Sequence, residues 1–321
     1  MRAWRLERHG TAPILRALPE PVPGPGEVLV QVATAGLNFA DLLIQEGRYQ
    51  DRHPLPFTPG FEFAGTVIAC PTGAGSPGPA PGTRVMGFAR YGAFAERIIV
   101  PPAHLVLRPD HVGDVDAAAL PVAYGTAQLA LSDKARLQEG ETVFVTGSAG
   151  GVGLAAVELA NRMGARVIAS ARGAQRLAVA EAAGARHLID SDKANLKDVL
   201  RALGGVDVVF DTVGGVAFEA ALRACNQDAR MLAVGFASGE VPQIPANQLL
   251  VRNVTVIGLW WGGYIGPAPG LLRDGLAALL AIPQERALPS HVSNVVAFDE
   301  LPRGLELLRD RKAMGKVVLQ L

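Results

Sequence analysis

Hydrophobic and polar positions change their spacing part-way along the chain. Up to about residue 120 the apolar residues come in short alternating runs, such as EVLVQVATAGL, EFAGTVIAC and TRVMGF, broken by Pro and Gly. Period-two alternation between tight turns predicts short strands, so this half reads as mainly β. From about Tyr124 the pattern becomes strand, helix, strand: TVFVTG, VGLAAVELANRMG, RVIASA, RLAVAEAAG, HLID, VDVVFDTVG and RMLAVGF. Strands separated by helices of about ten residues need crossover connections, and therefore a parallel sheet covered on both faces. After Trp261 two helix-like stretches, LLRDGLAALLAI and DELPRGLELLRDRKA, precede a closing strand, KVVLQL, that returns to the first domain.

Length and composition narrow the class. The chain has 321 residues, enough for about two domains with a core in each. With 49% apolar residues, 19% charged residues and a formal net charge of +0, neither a disordered tail protein nor a broad basic surface for nucleic acid is expected. Two distant cysteines, Cys70 and Cys225, make neither a disulfide framework nor a thiolate zinc site. The opening MRAWRLERHG carries charges throughout and is followed by Pro13 and Pro19, unlike a signal peptide, so a cytoplasmic location is expected. The uncharged stretch Val254 to Leu272 holds Pro267, Pro269 and five glycines, which reads as strand plus loop rather than a membrane span. The segment Pro71 to Pro81, PTGAGSPGPAP, reads as a Gly/Pro-rich surface loop.

The strongest motif is VFVTGSAGGVGLAAVELA, where a buried strand runs through a glycine turn straight into an apolar helix. That is the context of a dinucleotide fingerprint, written here as Ser148, Ala149, Gly150, Gly151, Val152, Gly153, with an alternative register beginning at Gly147. Gly150 lets the backbone approach a pyrophosphate, Gly151 relaxes the same turn, and Gly153 lets the helix pack closely, while the helix N-terminus supplies free N–H groups. After the second strand an NAD site usually places Asp or Glu on the ribose. The sequence has RVIASARGAQR instead, so Ser170 with Arg172 and Arg176 points to a 2′-phosphate and to NADPH; the arginines alternatively solvate a helix start. Gly235 and Phe236, ending RMLAVGF, fall where strand ends line the crevice of a doubly wound sheet.

These residues, together with EVLVQVATAGLNFADLL, PFTPGFEFAGTV, LPVAYGTAQLAL and the terminal GKVVL, resemble the zinc-free quinone oxidoreductases of the medium-chain dehydrogenase/reductase superfamily. The resemblance spans nearly the whole chain. It implies an α/β fold: a Rossmann doubly wound parallel sheet domain, residues 124–265, plus a mainly β GroES-like domain made of residues 1–123 and 266–321. Zinc members of the superfamily carry a cysteine where this chain has Asn38 and a histidine where it has Phe61, and four further cysteines where it has the Gly/Pro loop. No metal is therefore expected.

Without a Lewis acid an activated acceptor is needed, and a quinone or conjugated carbonyl suits hydride addition. The resemblance places Tyr49 at a substrate-cleft tyrosine and Leu43 at a second one; Asn38 then donates its amide to the acceptor oxygen, or satisfies a turn. It also sets Tyr124 and Thr126 toward the nicotinamide, Thr126 alternatively being a helix cap. Ser191 and Lys316 lie near positions that hold the adenosine phosphate in relatives. Trp260, Trp261 and Tyr264 either wall an aromatic cleft or pack a dimer contact. The leading expectation is NADPH-dependent, metal-free reduction of quinones by a homodimer whose edge strand is NVTVIGLWW, with no nucleic-acid or membrane partner. An enoyl-thioester or enone reductase, and a non-catalytic NADPH-binding protein, are the rivals.

Overall fold

A computed structural model of the chain describes residues 1–71 and 78–321. Most of the expected Gly/Pro loop, residues 72–77, lies outside the described residues. The chain begins with β1 (Arg2–Arg5), β2 (Ile14–Ala17), β3 (Val28–Leu37), α1 (Phe39–Gln45), β4 (Glu62–Ala69), β5 (Arg84–Phe88), β6 (Arg97–Val100) and β7 (Leu105–Leu107). Helices α2 (Asp114–Ala119) and α3 (Pro121–Gln128) follow, and then β8 (Thr142–Thr146), α4 (Gly151–Arg162), β9 (Arg166–Ala171), α5 (Ala174–Ala182) and β10 (His187–Asp190). Next come α6 (Leu196–Ala202), β11 (Val206–Asp211), α7 (Gly215–Ala224), β12 (Cys225–Ala233), α8 (Ala246–Leu250) and β13 (Thr255–Gly258). The chain closes with α9 (Pro269–Leu280), β14 (Val292–Ala297), α10 (Leu301–Arg309) and β15 (Lys316–Gln320).

Two compact units result, one of Met1–Gly125 with Gly262–Leu321, the other of Thr126–Trp261. The first is mainly β, with a seven-stranded sheet in the order β14-β15-β3-β4-β5-β7 and β6 paired to β3. The alternation read along β3 and β4 buries Val30, Val32, Phe63 and Val67 in one core with Phe94, Val317 and Leu319. The closing strand returns as expected: β15 runs antiparallel to β3, with Val317 opposite Leu37. The indole of Trp4 packs edge-on to Phe298 and donates to its carbonyl at 2.9 Å, fastening β1 to the C-terminal segment.

The second unit is a six-stranded sheet ordered β10-β9-β8-β11-β12-β13, every pair parallel. Its central strands are apolar along their middles because helices cover both faces, and every residue of β8 is buried. Phe144, Ile168, Val209, Phe218 and Met231 share one core. From β8 the chain steps outward to β9 and β10, then crosses back to β11, β12 and β13 on the other side. The order therefore reverses between β8 and β11, and all six carboxyl ends open on one edge, the arrangement of a Rossmann sheet. This is the expected α/β fold class. The stretch Val254 to Leu272 contains β13, a 3-10 turn at Trp261–Tyr264 and, beyond the strand and loop expected, the first turn of α9. Among the described residues no helix is long and apolar enough to cross a membrane.

Candidate active site

Most of the sequence-selected nucleotide residues meet at the carboxyl edge of the parallel sheet. β8 ends at Thr146, and the chain turns through Gly147, Ser148 and Ala149 to Gly150, the N-cap of α4, which carries no side-chain cap. Ser148 stands where the usual fingerprint has its first glycine. It is fully buried, and its N–H and Oγ–H both donate to the Ser170 carbonyl at 3.1 and 3.0 Å. The serine thereby ties the turn to β9, which a glycine side chain could not do. Ser170 itself is buried, pairs with Thr146 in β8, and meets the turn through its carbonyl.

The glycines of the turn have different reasons to be glycine. A Cβ on Gly153 would collide with the Gly147 carbonyl, so the close fit of α4 on its own turn requires that glycine. A Cβ on Gly150 would meet nothing nearer than the Gly147 oxygen at 3.5 Å, an ordinary contact. Protein packing thus leaves Gly150 unexplained, and the open space beside uncapped N–H groups fits a pyrophosphate lying against the backbone. Ala149 is buried beneath the turn, while Gly151 and Val152 open α4 partly exposed.

Along the same edge, Arg172 is exposed just past β9, and Arg176 in the first turn of α5 donates to its carbonyl at 3.4 Å. The N–H of Ser191, just past β10, donates to the Ala171 carbonyl at 3.1 Å, which brings this exposed serine beside the end of β9. Asp190 was not foreseen. Its Oδ1 accepts the N–H of Gly173 at 3.2 Å and its Oδ2 lies 3.3 Å from Lys193 Nζ. The Gly173 N–H, first among several donors, holds this carboxyl below its ordinary range. Past β12 the Gly235 N–H donates to the Asp211 carbonyl at 3.3 Å, and the Phe236 side chain is 42% exposed.

A second glycine turn escaped the sequence reading. β11 ends at Asp211 and passes through Thr212 and Val213 to Gly214, the N-cap of α7. Asp211 is fully buried. Its Oδ1 accepts Thr146 Oγ–H at 2.5 Å and Val213 N–H at 3.3 Å, and its Oδ2 accepts Gly214 N–H at 2.8 Å. Burial pushes its carboxyl upward, opposed by those three donors. Thr212 completes the clasp: its N–H donates to Thr146 Oγ1 and its hydroxyl to the Thr146 carbonyl, both at 3.0 Å.

Three expected residues are placed differently. Thr126 lies buried inside α3, neither capping a helix nor presenting its hydroxyl at an exposed surface. Tyr124 is fully buried, its ring parallel to that of His291. Lys316 belongs to the mainly β unit, not to the nucleotide unit, and its ammonium is buried. It donates to the Leu37 carbonyl at 3.0 Å, to Asn38 Oδ1 at 2.8 Å and to Glu62 Oε1. With all three ammonium protons engaged inside the protein, Lys316 has none for an adenosine phosphate.

The same cluster settles what Asn38 touches. Its Nδ2 donates to Glu62 Oε1 at 2.7 Å, and its backbone N–H donates to Asp41 Oδ2 at 2.7 Å as α1 begins. Glu62 is wholly buried, and its Oε2 accepts the Val122 N–H at 2.7 Å. The Asn38 amide is thus held by Glu62 and Lys316, and the expected donation to an acceptor oxygen is replaced by a bracing role. Asp41 lies one turn into α1, with Oδ1 buried and making no hydrogen bond. Burial pushes its carboxyl up to about 7, the Asn38 N–H and Lys316 lowering it and Glu62 raising it. Tyr49 packs edge-on to Phe61, ring centroids 5.7 Å apart, against a small core of Leu6, Ile44 and Phe57. Among the described residues no three His, Cys, Asp or Glu side chains are grouped to hold a metal ion.

A doubly wound sheet with a glycine turn at its switch point, joined in one chain to a mainly β unit, is the arrangement of a dinucleotide-binding protein. Residues 24–110 match the alcohol dehydrogenase GroES-like domain model and residues 151–276 the zinc-binding dehydrogenase model. The chain is 40% identical over 307 residues to quinone oxidoreductase-like protein 2 of Bos taurus, covering 94% of this chain and 87% of that one. It is 32% identical over 317 residues to the human synaptic vesicle membrane protein VAT-1 homolog, covering 93% and 80%. The quinone oxidoreductase of Thermus thermophilus, solved alone and with NADPH, superposes with a TM-score of 0.87 at 34% identity over 100% of both chains. The chain belongs to the medium-chain dehydrogenase/reductase superfamily, among its quinone oxidoreductase-like members.

Two glycine substitutions separate packing from binding. Gly153→Ala drives a Cβ into a backbone carbonyl and should destabilise the protein by about 1–3 kcal/mol, read as a loss of melting temperature. Gly150→Ala should melt within about 1 kcal/mol of wild type and yet lose nicotinamide-cofactor binding at least about tenfold in a fluorescence titration. Asp41 gives a pH signature. A carboxyl raised in the folded state makes that state bind its proton more tightly than the unfolded chain does. Its contribution is therefore complete below the ordinary carboxyl range near pH 4 and is lost as pH rises toward 7. Asp41→Asn should remove that decline, so the variant gains on wild type between pH 4 and 8 by no more than about 4 kcal/mol in denaturant titrations.

Proposed function

We propose that the protein is an NADPH-dependent, metal-independent reductase of quinones and related conjugated carbonyl compounds, acting as a homodimer in the cytoplasm. The observation that carries this reading is the end of β9. There Arg172 follows the strand to which Ser148 ties the glycine turn, Arg176 donates to the Arg172 carbonyl, and no Asp or Glu occupies the first positions past the strand. Forked guanidinium donors suit a phosphate dianion better than a ribose hydroxyl. The Thermus relative, solved with NADPH, supports the same cofactor. Asp190, bound to the Gly173 N–H, favours NADH as a second reading, although Lys193 pairs with its charge.

The bound cofactor supplies a hydride. The N–H groups of Gly151 and Val152 at the start of α4 would hold the pyrophosphate, and Arg172 and Arg176 the 2′-phosphate. The acceptor assignment rests on donor chemistry: where zinc members have a thiolate and an imidazole, this chain has an amide bound to Glu62 and the buried ring of Phe61. Neither is a ligand for zinc, so the acceptor must itself be electron-poor. Tyr49 and Phe61 offer an aromatic wall for a flat ring. Hydride addition to a quinone leaves an oxyanion, and one proton from water or the Tyr49 hydroxyl completes the hydroquinone. Strand β13, at the edge of its sheet, is the surface through which two copies would pair.

Steady-state oxidation of NADPH and NADH against quinones, enones, saturated ketones and primary alcohols tests the proposal. Rates should follow acceptor electrophilicity, vanish with ketones and alcohols, and persist in protein free of stoichiometric zinc. Arg172→Ala and Arg176→Ala should each raise KM for NADPH about three- to tenfold while leaving that for NADH within about twofold. Efficient alcohol oxidation, a required zinc, or equal use of both cofactors contradicts it.

A further inference from the structure

The mainly β unit holds a group of polar side chains that neither its core nor the buried Glu62 cluster uses. In the segment between α1 and β4, Asp51 Oδ2 accepts the Arg90 Nη1–H at 2.9 Å. The His53 ring lies beside the same oxygen, with Nε2 3.7 Å away, too far for a hydrogen bond. That nitrogen is buried and has no hydrogen-bond partner. Such an orphan is costly unless another arrangement of the site supplies the partner. The imidazole packs edge-on to Phe57, ring centroids 5.2 Å apart, and tilted on Tyr91 at 4.5 Å. Phe57 shares the small core of Phe61, on which Tyr49 packs. The aromatic wall assigned to the acceptor therefore continues through Phe57 and His53 to Tyr91 and its neighbour Arg90.

Arg90 is the cation at that end. Its side chain is 37% exposed and Tyr91 is 49% exposed, whereas Asp51 is largely buried. Among the described residues Asp51 is the one acceptor of its guanidinium, through Nη1 alone. A Cβ on Gly266 would lie 2.9 Å from Nη2, so glycine at that position keeps space beside the remaining donors. We propose that Arg90 is a specificity-determining residue that receives an anionic substituent, a carboxylate or sulfonate, carried by the quinone or conjugated acceptor. Asp51 is the internal stand-in for that anion, and when substrate takes Arg90 the carboxylate moves about 1 Å to accept from His53 Nε2–H. This extends the quinone and conjugated-carbonyl reading above, on which it rests. Burial holds the imidazole below its ordinary range, Asp51 opposing and Arg90 reinforcing. A neutral ring carries one N–H, which here goes to Nε2 and gives the displaced carboxylate its donor. The exchange leaves both anions hydrogen-bonded and ends the isolation of the buried nitrogen.

Steady-state reduction of 1,4-naphthoquinone-2-sulfonate and of uncharged 2-methyl-1,4-naphthoquinone by NADPH tests the assignment. The readout is the ratio of their kcat/KM values, in which a general loss of folded enzyme cancels. Arg90→Gln should lower the sulfonate-to-neutral ratio about tenfold. Asp51→Asn removes the internal competitor and should raise the ratio about threefold, a gain that misfolding cannot produce. His53→Phe leaves Asp51 without its second donor and should lower the ratio about threefold. An unchanged ratio in Arg90→Gln, or a fall in Asp51→Asn, would show a structural ion pair only. Calorimetric titration of naphthalene-2-sulfonate reads the subsite without turnover, and its affinity should also fall about tenfold in Arg90→Gln. If wild type reduces neither quinone yet binds the sulfonate through Arg90, the reductase reading falls and the anion subsite stands. If it reduces both and neither measurement responds to Arg90, only the role of Arg90 falls; if it neither reduces nor binds, both fall.

Discussion

Helix α4 can begin where it does because Gly153 lies against the carbonyl of Gly147, a separation no side chain tolerates. That contact lets the helix start directly above the end of β8, with its free N–H groups at the carboxyl edge of the sheet. In a parallel sheet covered on both faces, ligands have access only at the edges, and every strand here delivers its loop to the same one. Ser148 on β9 and Thr146 with Thr212 on β11 then fix the turn on either side. The turn is thus a backbone feature held by neighbouring strands.

The two units handle buried charge by different physical means. In the mainly β unit Glu62 and Lys316 lie within one hydrogen-bonded cluster, where removal of either partner would leave an unpaired buried charge at a cost of about 3–5 kcal/mol. In the nucleotide unit Asp211 has no counter-ion among the described residues and is stabilised by one hydroxyl and two backbone N–H groups at a helix start. The first arrangement fastens the C-terminal strand to β3, β4 and α1. The second ties the end of β8 to the turn that leads into α7. Asp41, with an unpartnered oxygen near the Glu62 cluster, belongs to neither pattern and is held largely as the neutral acid toward acid pH.

Much of this was legible because the signals are local. The strand, glycine turn and apolar helix around Val143 to Ala160 are contiguous, so the turn and its helix could be placed from spacing alone. The period change near Tyr124 announced the parallel sheet for the same reason. What escaped depends on distant partners. Lys316 meets Glu62 across 254 positions, and nothing in GKVVL distinguishes an ammonium buried on a carboxylate from one exposed to phosphate. Asn38 reads as a free amide until Glu62 and Lys316 are seen to occupy it. Asp211 sits in FDTVGG, a turn that ends in the same glycines as the first. An acidic residue in a turn reads as solvated, whereas here it is buried and accepts from Thr146 and from the Val213 and Gly214 N–H groups ahead of α7. Thr126 is not the helix cap weighed from the sequence, because the helix containing it starts five residues earlier, at Pro121.

The proposed function requires the first glycine turn, and not the second, to receive the phosphates of a nicotinamide dinucleotide. A crystal structure of the protein soaked with NADPH measures this directly. Pyrophosphate density is expected within hydrogen-bond distance of the N–H groups at Gly151 and Val152, with the 2′-phosphate beside Arg172 and Arg176 and no phosphate near Gly214. Pyrophosphate seated on the Gly214 and Gly215 turn, or a 2′-phosphate remote from both arginines, would contradict it.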